Sequence, residues 1–214
     1  MSFAPACAAA LVAGYLMGSM PWGLWLGRWL RAIDVREHGS RNLGATNVYR
    51  VLGPRLGLAT LALDLLKGAV PVWLAAALPL VDAGAREREW LAVLAGGAAV
   101  AGHIWTCFAG FRGGKGVATT AGVLLALAPA AFGIFVLVWV VTVAATRYVS
   151  LGSTCGAIAF AAALWWLARG GTQSPIFWLG ALLAILVVAR HRENLRRVFR
   201  GEERRFSLKG GSTS

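Results

Sequence analysis

Long apolar runs alternate with short polar ones along the whole chain. The apolar runs cover roughly residues 3–26, 56–81, 90–108, 117–146, 149–168 and 175–189. Each is long enough for a helix to cross a hydrocarbon core, for which about 20 residues suffice. The fourth is too long for one crossing. Pro129 falls near its middle, where a proline removes a helical hydrogen bond and pushes the preceding residue out of the α region. The pattern therefore allows six spans, or seven with two short, tilted halves in place of the fourth.

Charge decides between them. With seven spans and the N-terminus outside, one side collects the first polar loop, the loop with Arg112 and Lys115, the Arg147 turn and the tail. That side then holds 17 of the 21 lysines and arginines, against Arg86, Arg88 and Arg169 on the other and Lys67 inside a span. Six spans would separate the first loop from the tail. The positive-inside bias selects seven, N-terminus out and C-terminus cytoplasmic. The expected fold is an all-α polytopic membrane protein with seven transmembrane helices. It forms one integral-membrane domain over residues 1–214, with a short basic tail from about residue 190.

Composition agrees: 58% of residues are hydrophobic, 14% charged, and the mean hydropathy is +0.66. The net charge of +12 lies between apolar runs and in the tail, so it points to a lipid surface and not to nucleic acid. Cys7, Cys107 and Cys155 sit in or beside apolar segments without CxxC spacing, and read as core residues with no disulfide framework or zinc site. The first basic residue is Arg28, so the opening run is expected to stay as a span and not to be cleaved as a signal peptide. Trp29, Trp90, Trp165 and Trp166 near span ends suit the headgroup level, and AGGAAVAG (95–102) lets helices approach closely.

On this topology the polar segments that follow, glycine-rich or basic, all face the cytoplasmic side. The first, DVREHGSRNLGATNVYR (34–50), combines Gly39 and Gly44 with Ser40, Asn42, Thr46, Asn47 and the arginines Arg36, Arg41 and Arg50. Glycines let backbone N–H groups turn inward as a nest, hydroxyls and amides add neutral donors, and guanidinium groups supply forked bonds to phosphate or carboxylate. A solvated turn is the plainer reading of such a loop, but a second one of the same character shifts the balance to anion binding. FRGGKGVATT (111–120) sets Gly113, Gly114 and Gly116 around Lys115 just before a helix, a phosphate cradle that is not a Walker A loop.

The third segment is RHRENLRRVFRGEERRF (190–206). Its arginines suit anionic lipid, which leaves His191, Asn194 and Glu203 unexplained. His191 and Asn194 stand one helical turn apart on one face. RYVSLGS brings Ser150 and Ser153 to the same side, where either suits a helix cap. Inside a span, Asp64 and Lys67 at i, i+3 either pair with each other or line a site. His103 fits a satisfied core histidine, although it shortly precedes the second loop.

Absences narrow the chemistry. No serine has the flanking glycines of a GxSxG elbow, no histidine is followed by aspartate in the HxxxxD manner, and metal-ligand clusters are missing. What remains is a pocket rich in phosphate-binding groups and poor in covalent nucleophiles.

GSMPWGLWLGR (18–28), DVREHGSRNLGATNVYR, GHIWTCFAGFRGGKGVATT and the HRENLRR…GEE tail are similar, in order and over nearly the whole chain, to the bacterial acyl-phosphate:glycerol-3-phosphate acyltransferases. The resemblance implies a seven-helix enzyme of the bacterial inner membrane with a cytoplasmic active site. It would move an acyl chain from acyl phosphate to the 1-hydroxyl of glycerol 3-phosphate, giving lysophosphatidic acid. It further implies no metal or organic cofactor and no acyl-CoA or acyl-carrier-protein donor; no obligatory protein partner is evident. The family's functional positions fall on Ser40, Thr46, Asn47 and Arg50, on Lys115 with Gly113, Gly114 and Gly116, and on His191, Asn194 and Glu203. Arg50, Lys115 and Asn194 would hold glycerol phosphate, Thr46 and the 113–116 backbone the acyl phosphate, and Ser40 would position the reacting groups. Asn42, His103, Ser150 and Ser153 are expected to join the substrate-binding set. A substrate phosphate oxygen or His191 would take the hydroxyl proton.

One departure stands out: Arg41 occupies a place where the family often has glycine. The rival expectation is a transporter of a small anionic solute, for which Asp64 and Lys67 would serve. It lacks an internal repeat, and the loops DAGAREREW and RGGTQS offer little polar lining on the outer side.

Overall fold

The computed structural model describes residues 2–77, 84–167 and 173–206. Arg169, Lys209 and parts of the two loops assigned to the outer side lie outside the described residues. The described residues contain helices and no strand: α1 (Phe3–Ser19), α2 (Trp22–Arg31), α3 (Ala45–Leu52), α4 (Pro54–Ala77), α5 (Ala85–Ile104), α6 (Val117–Leu127), α7 (Pro129–Thr146), α8 (Val149–Leu167) and α9 (Pro175–Phe199), with a 3₁₀ turn at Cys107–Ala109. They form two compact units, one within Met1–Ala126 and one within Leu127–Leu208.

Six helical stretches are long and apolar enough to span a membrane, and α6 is a shorter apolar helix of 11 residues. The expected break at Pro129 is present. Proline opens α7 at its first turn, where the missing N–H has no intrahelical partner to lose. The same break marks the passage from the first unit to the second.

Two expectations are corrected. The run 3–26 is not one helix: α1 stops at Ser19 and α2 starts at Trp22. Pro21 causes this, since the residue before a proline is driven from the α region, and Met20 takes ψ 110°. The segment 34–50 is not loop throughout either, because its last third, from Ala45, winds into α3. No glycine or proline interrupts residues 45–52, and Val48 is buried on the inner side.

In the first unit α5 packs against α1 and α4. The small residues foreseen in 95–102 meet a matching glycine stripe, with Gly14 against the Ala95 backbone and Gly18 against the Ala99 backbone. Van der Waals contact between backbones supplies the association that apolar burial cannot supply in lipid. In the second unit α8 packs against α7 and α9.

Two charges are buried in α4. Lys67 Nζ lies 2.8 Å from Asp64 Oδ1 and donates a second hydrogen bond, 2.7 Å, to the Met20 carbonyl. The helix break at Pro21 leaves that carbonyl without an intrahelical donor, so the lysine closes the gap between α1 and α2. Thr106 does the same for the neighbouring Ser19 carbonyl.

Gly18→Val is expected to lower the thermal stability of the purified protein by about 2–3 kcal/mol, because a branched side chain has no room against Ala99. A Cβ at Gly133, exposed on α7, meets nothing within 4 Å, so Gly133→Ala leaves stability unchanged or raises it by about 0.5–1 kcal/mol. Thermal unfolding in detergent distinguishes the two.

Candidate active site

The first loop is held from inside by Asn47, which is 2% exposed. Its Oδ1 accepts from the Ser40 N–H at 2.7 Å, and its Nδ2 donates to the carbonyls of Val35, His38 and Asn42. Expected in the substrate-binding set, Asn47 has its amide committed to the loop backbone. Asn42 is committed similarly, its Oδ1 accepting from the Gly44 N–H at 2.8 Å as an Asx turn. Arg36 and Arg28 both bond Asp34, so these cations are spent on the loop's own carboxylate. The Arg36 guanidinium holds the Asp34 carboxyl well below the usual carboxylate range, against a smaller opposing effect of burial.

That scaffold presents the remaining groups. Ser40 is exposed at the tip of the loop. Thr46 lies in the first turn of α3, beside backbone N–H groups that have no intrahelical acceptor, and Arg50 follows one turn later on the same face. Arg41 adopts φ +58°, a left-handed conformation that glycine takes freely and that costs other residues about 1–2 kcal/mol. The residue that departs from glycine thus stands at a position whose backbone conformation favours glycine.

The second loop is pinned to the end of α5. Gly113 N–H donates to the Ile104 carbonyl at 3.0 Å, and Gly114 N–H to the His103 carbonyl at 3.1 Å. Gly116 takes φ +84°, turning the chain into α6, so Lys115 and the following amides sit at a helix N-terminus suited to phosphate. The two loops share a floor: Leu24, Val35, Leu43 and Val48 cluster with Ala109 of the 3₁₀ turn. They also share a cleft lined by Leu43 from the first loop, Gly114 from the second, and the buried Asp64, Lys67 and His103. His103 is 6% exposed, beneath Gly114. Ser19 and Thr106, which line the same cleft, were not foreseen, because only the tertiary fold brings them there.

In the second unit, Glu203 gathers the third motif. Its Oε1 accepts from Asn194 Nδ2 at 2.6 Å and from Ser150 Oγ at 3.0 Å, while Oε2 accepts from Arg197 Nε at 2.8 Å. The tail is tied back by the Phe206 N–H, which donates to the Arg147 carbonyl at 2.7 Å. Ser150 and Glu203, both expected to bind substrate, thus bond each other. Ser153 donates to the Val149 carbonyl four residues back, and both serines lie within α8 and do not cap it. His191 Nδ1 is 2.8 Å from the Val187 carbonyl. A carbonyl only accepts, so Nδ1 carries the proton and Nε2 is the basic nitrogen of the neutral ring.

Burial raises the Glu203 carboxyl, but hydrogen bonds from Asn194, Arg197 and Ser150 outweigh it and hold the group below its ordinary value. A depressed carboxyl contributes stability that is present above the unfolded-state value and disappears as pH falls through the folded one. Glu203→Gln is therefore expected to unfold at a lower temperature at neutral pH, with the difference from wild type shrinking only as the pH falls below 4.5. Melting curves against pH check this.

Among the described residues, no group of three or more His, Cys, Asp or Glu gathers as a metal site would. The glycerol-3-phosphate acyltransferase family model matches residues 8–201. A glycerol-3-phosphate acyltransferase of Anaeromyxobacter sp. (strain Fw109-5) is 47% identical over 92% of this chain and 95% of its own length. That of Geobacter sulfurreducens is 44% identical over 90% and 93%. The crystal structure of PlsY (YgiH), an integral membrane glycerol 3-phosphate acyltransferase, in its glycerol 3-phosphate form superposes with a TM-score of 0.84 at 35% identity, covering 94% of this chain and 96% of that one. Its lysophosphatidic acid form gives 0.81 at 34%, covering 95% and 97%. Two phosphate-suited loops on one cleft, an all-helical apolar fold and near full-length likeness agree: this chain belongs to the glycerol-3-phosphate acyltransferase family.

Proposed function

We propose that the protein transfers an acyl chain from an acyl phosphate to the 1-hydroxyl of glycerol 3-phosphate, releasing lysophosphatidic acid and inorganic phosphate. The observation that carries this reading is the shared apolar floor, Leu24, Val35, Leu43, Val48 and Ala109, on which both loops rest. Both substrates carry phosphate, and each loop offers backbone N–H groups beside a cation, Arg50 in one and Lys115 in the other.

An acyl phosphate is already an activated mixed anhydride, so the protein has to orient and stabilise charge and need not supply a nucleophile. The hydroxyl oxygen attacks the acyl carbon, the bond from that carbon to the phosphate oxygen breaks, and the phosphate departs. In this reading Arg50 and Lys115 hold glycerol phosphate and Ser40 orients the hydroxyl, while Thr46 holds the acyl phosphate with the backbone that follows Gly114, since the Gly113 and Gly114 N–H groups are bonded to the Ile104 and His103 carbonyls. Asn194 and His191 are assigned to the same reaction through the family's third motif. Glu203 keeps the Asn194 amide in place, and the hydroxyl proton passes to a substrate phosphate oxygen or to His191 Nε2.

The membrane arrangement we assign is seven spans, with α6 as the short seventh, N-terminus outside and both loops cytoplasmic, in a bacterial inner membrane. Charge asymmetry along the sequence supports it. Single cysteines placed at Ser40 and Ser2 are expected to label from opposite sides of intact cells; labelling from the same side would reverse the assignment.

The activity itself is tested on purified protein with palmitoyl phosphate and glycerol 3-phosphate, following phosphate and lysophosphatidic acid. Equal yields of both are expected, and Lys115→Ala is expected to lower turnover at least about 1000-fold while the protein stays folded, the scale of losing a charge-stabilising donor. Absence of product with glycerol 3-phosphate still bound would favour transport instead.

A further inference from the structure

The buried charges of α4 have no part in the reaction just described, and the chain keeps them at considerable cost. Asp64 is 2% and Lys67 5% exposed, inside a segment apolar enough to span a membrane. Intramembrane charge of this kind is retained where it does something.

Its surroundings show what that is. Lys67 bridges Asp64 and the Met20 carbonyl, which fixes the carboxylate against the α1–α2 break. His103 Nδ1 lies 3.8 Å from the same Asp64 Oδ1. The other side of that ring lies against the second loop: a Cβ added at Gly114 would overlap His103 Nε2. The Gly114 N–H is bonded to the His103 carbonyl as well. One residue therefore faces the buried carboxylate with one edge of its ring, at 3.8 Å and beyond hydrogen-bond distance, and lies against the glycine next to Lys115 with the other.

We propose that Asp64, Lys67 and His103 are positioning residues that set the height and tilt of the 113–116 loop over the cleft. Lys67 anchors Asp64, the Asp64 carboxylate stands behind the His103 ring at 3.8 Å, and the ring supports Gly114. Gly114 carries no Cβ because the ring occupies that space. The lysine and amides of the loop are thereby held where phosphate is expected, without His103 or the pair touching substrate. This rests on the reading of the 113–116 loop as a phosphate site.

The test uses the double variant Asp64→Asn/Lys67→Met, which removes both charges and keeps their shapes. Replacing a buried pair as a unit avoids leaving one charge uncompensated. The full chain is purified in detergent, and folded protein is quantified by thermal unfolding. Turnover, the KM for glycerol 3-phosphate and inhibition by inorganic phosphate are then measured per folded molecule. The expected result is a lowered melting temperature, because the Met20 carbonyl loses its lysine donor, together with kcat/KM per folded molecule lowered about 100-fold, the scale of a misplacement of about 1 Å, and weakened phosphate inhibition. Wild-type kinetics per folded molecule would overturn the proposal, as would activity lost only in proportion to folded protein.

Should the double variant fail to fold, His103→Gln is read by the same criteria, since it removes the ring beneath Gly114 and leaves the ion pair intact. Lys115→Ala, run beside them, separates two failures. If it retains turnover, the phosphate-loop reading itself falls. If it is inactive while the other variants behave as wild type, only the positioning role falls.

Discussion

A lysine in a lipid-embedded helix must be paired and must have its donors satisfied, and Lys67 meets both conditions through two partners on different segments. Asp64 supplies the charge and the Met20 carbonyl the acceptor. The second bond matters as much as the first. Pro21 stops α1 and leaves its last carbonyls short of intrahelical donors, the Met20 carbonyl accepting only from the Trp22 N–H within the backbone. Lys67 and Thr106 bond the carbonyls of Met20 and Ser19, so the turn that redirects the chain into α2 is compatible with a membrane interior. The first loop begins where α2 ends, and its position depends on that turn.

Each of the three polar motifs shows the same division of labour. One polar side chain is consumed internally so that its neighbours can be presented: Asn47 knots the first loop, the backbone bonds of Gly113 and Gly114 seat the second, and Glu203 gathers the third. Polar networks of this kind are rigid because every member is satisfied, and a partly satisfied one would be expensive in a low-dielectric setting. Rigidity serves a reaction whose electrophile arrives already activated, since the protein's contribution is then the placement of donors around phosphate.

The chemistry-bearing residue types are legible without coordinates, but their roles are not. Glycines, hydroxyls, amides and cations within 34–50 and 111–120 announce an anion site through composition alone. Which of them face the ligand depends on which are committed elsewhere. Asn47 and Thr46 are neighbours in sequence, yet one is buried with its amide bonded to four backbone groups and the other stands in the open first turn of a helix. Glu203 and Ser150 are 53 positions apart and meet across 3.0 Å, a pairing that no local pattern encodes.

Hydrophobic periodicity and punctuation by themselves determined that this is a helical membrane protein, that the long fourth run breaks at Pro129, and that its polar glycine-rich segments resemble those of one enzyme family. These follow from local physics, namely the length needed to cross lipid, the φ restriction of proline and the conformational freedom of glycine. Tertiary structure alone decided that the first run bends at Pro21, that 45–52 winds into a helix, and that the loops share one cleft. It also decided that His103 lies between a buried ion pair and a glycine. Those outcomes depend on which distant groups satisfy a freed carbonyl or fill a space one Cβ wide, and such contacts exist only once the chain has packed.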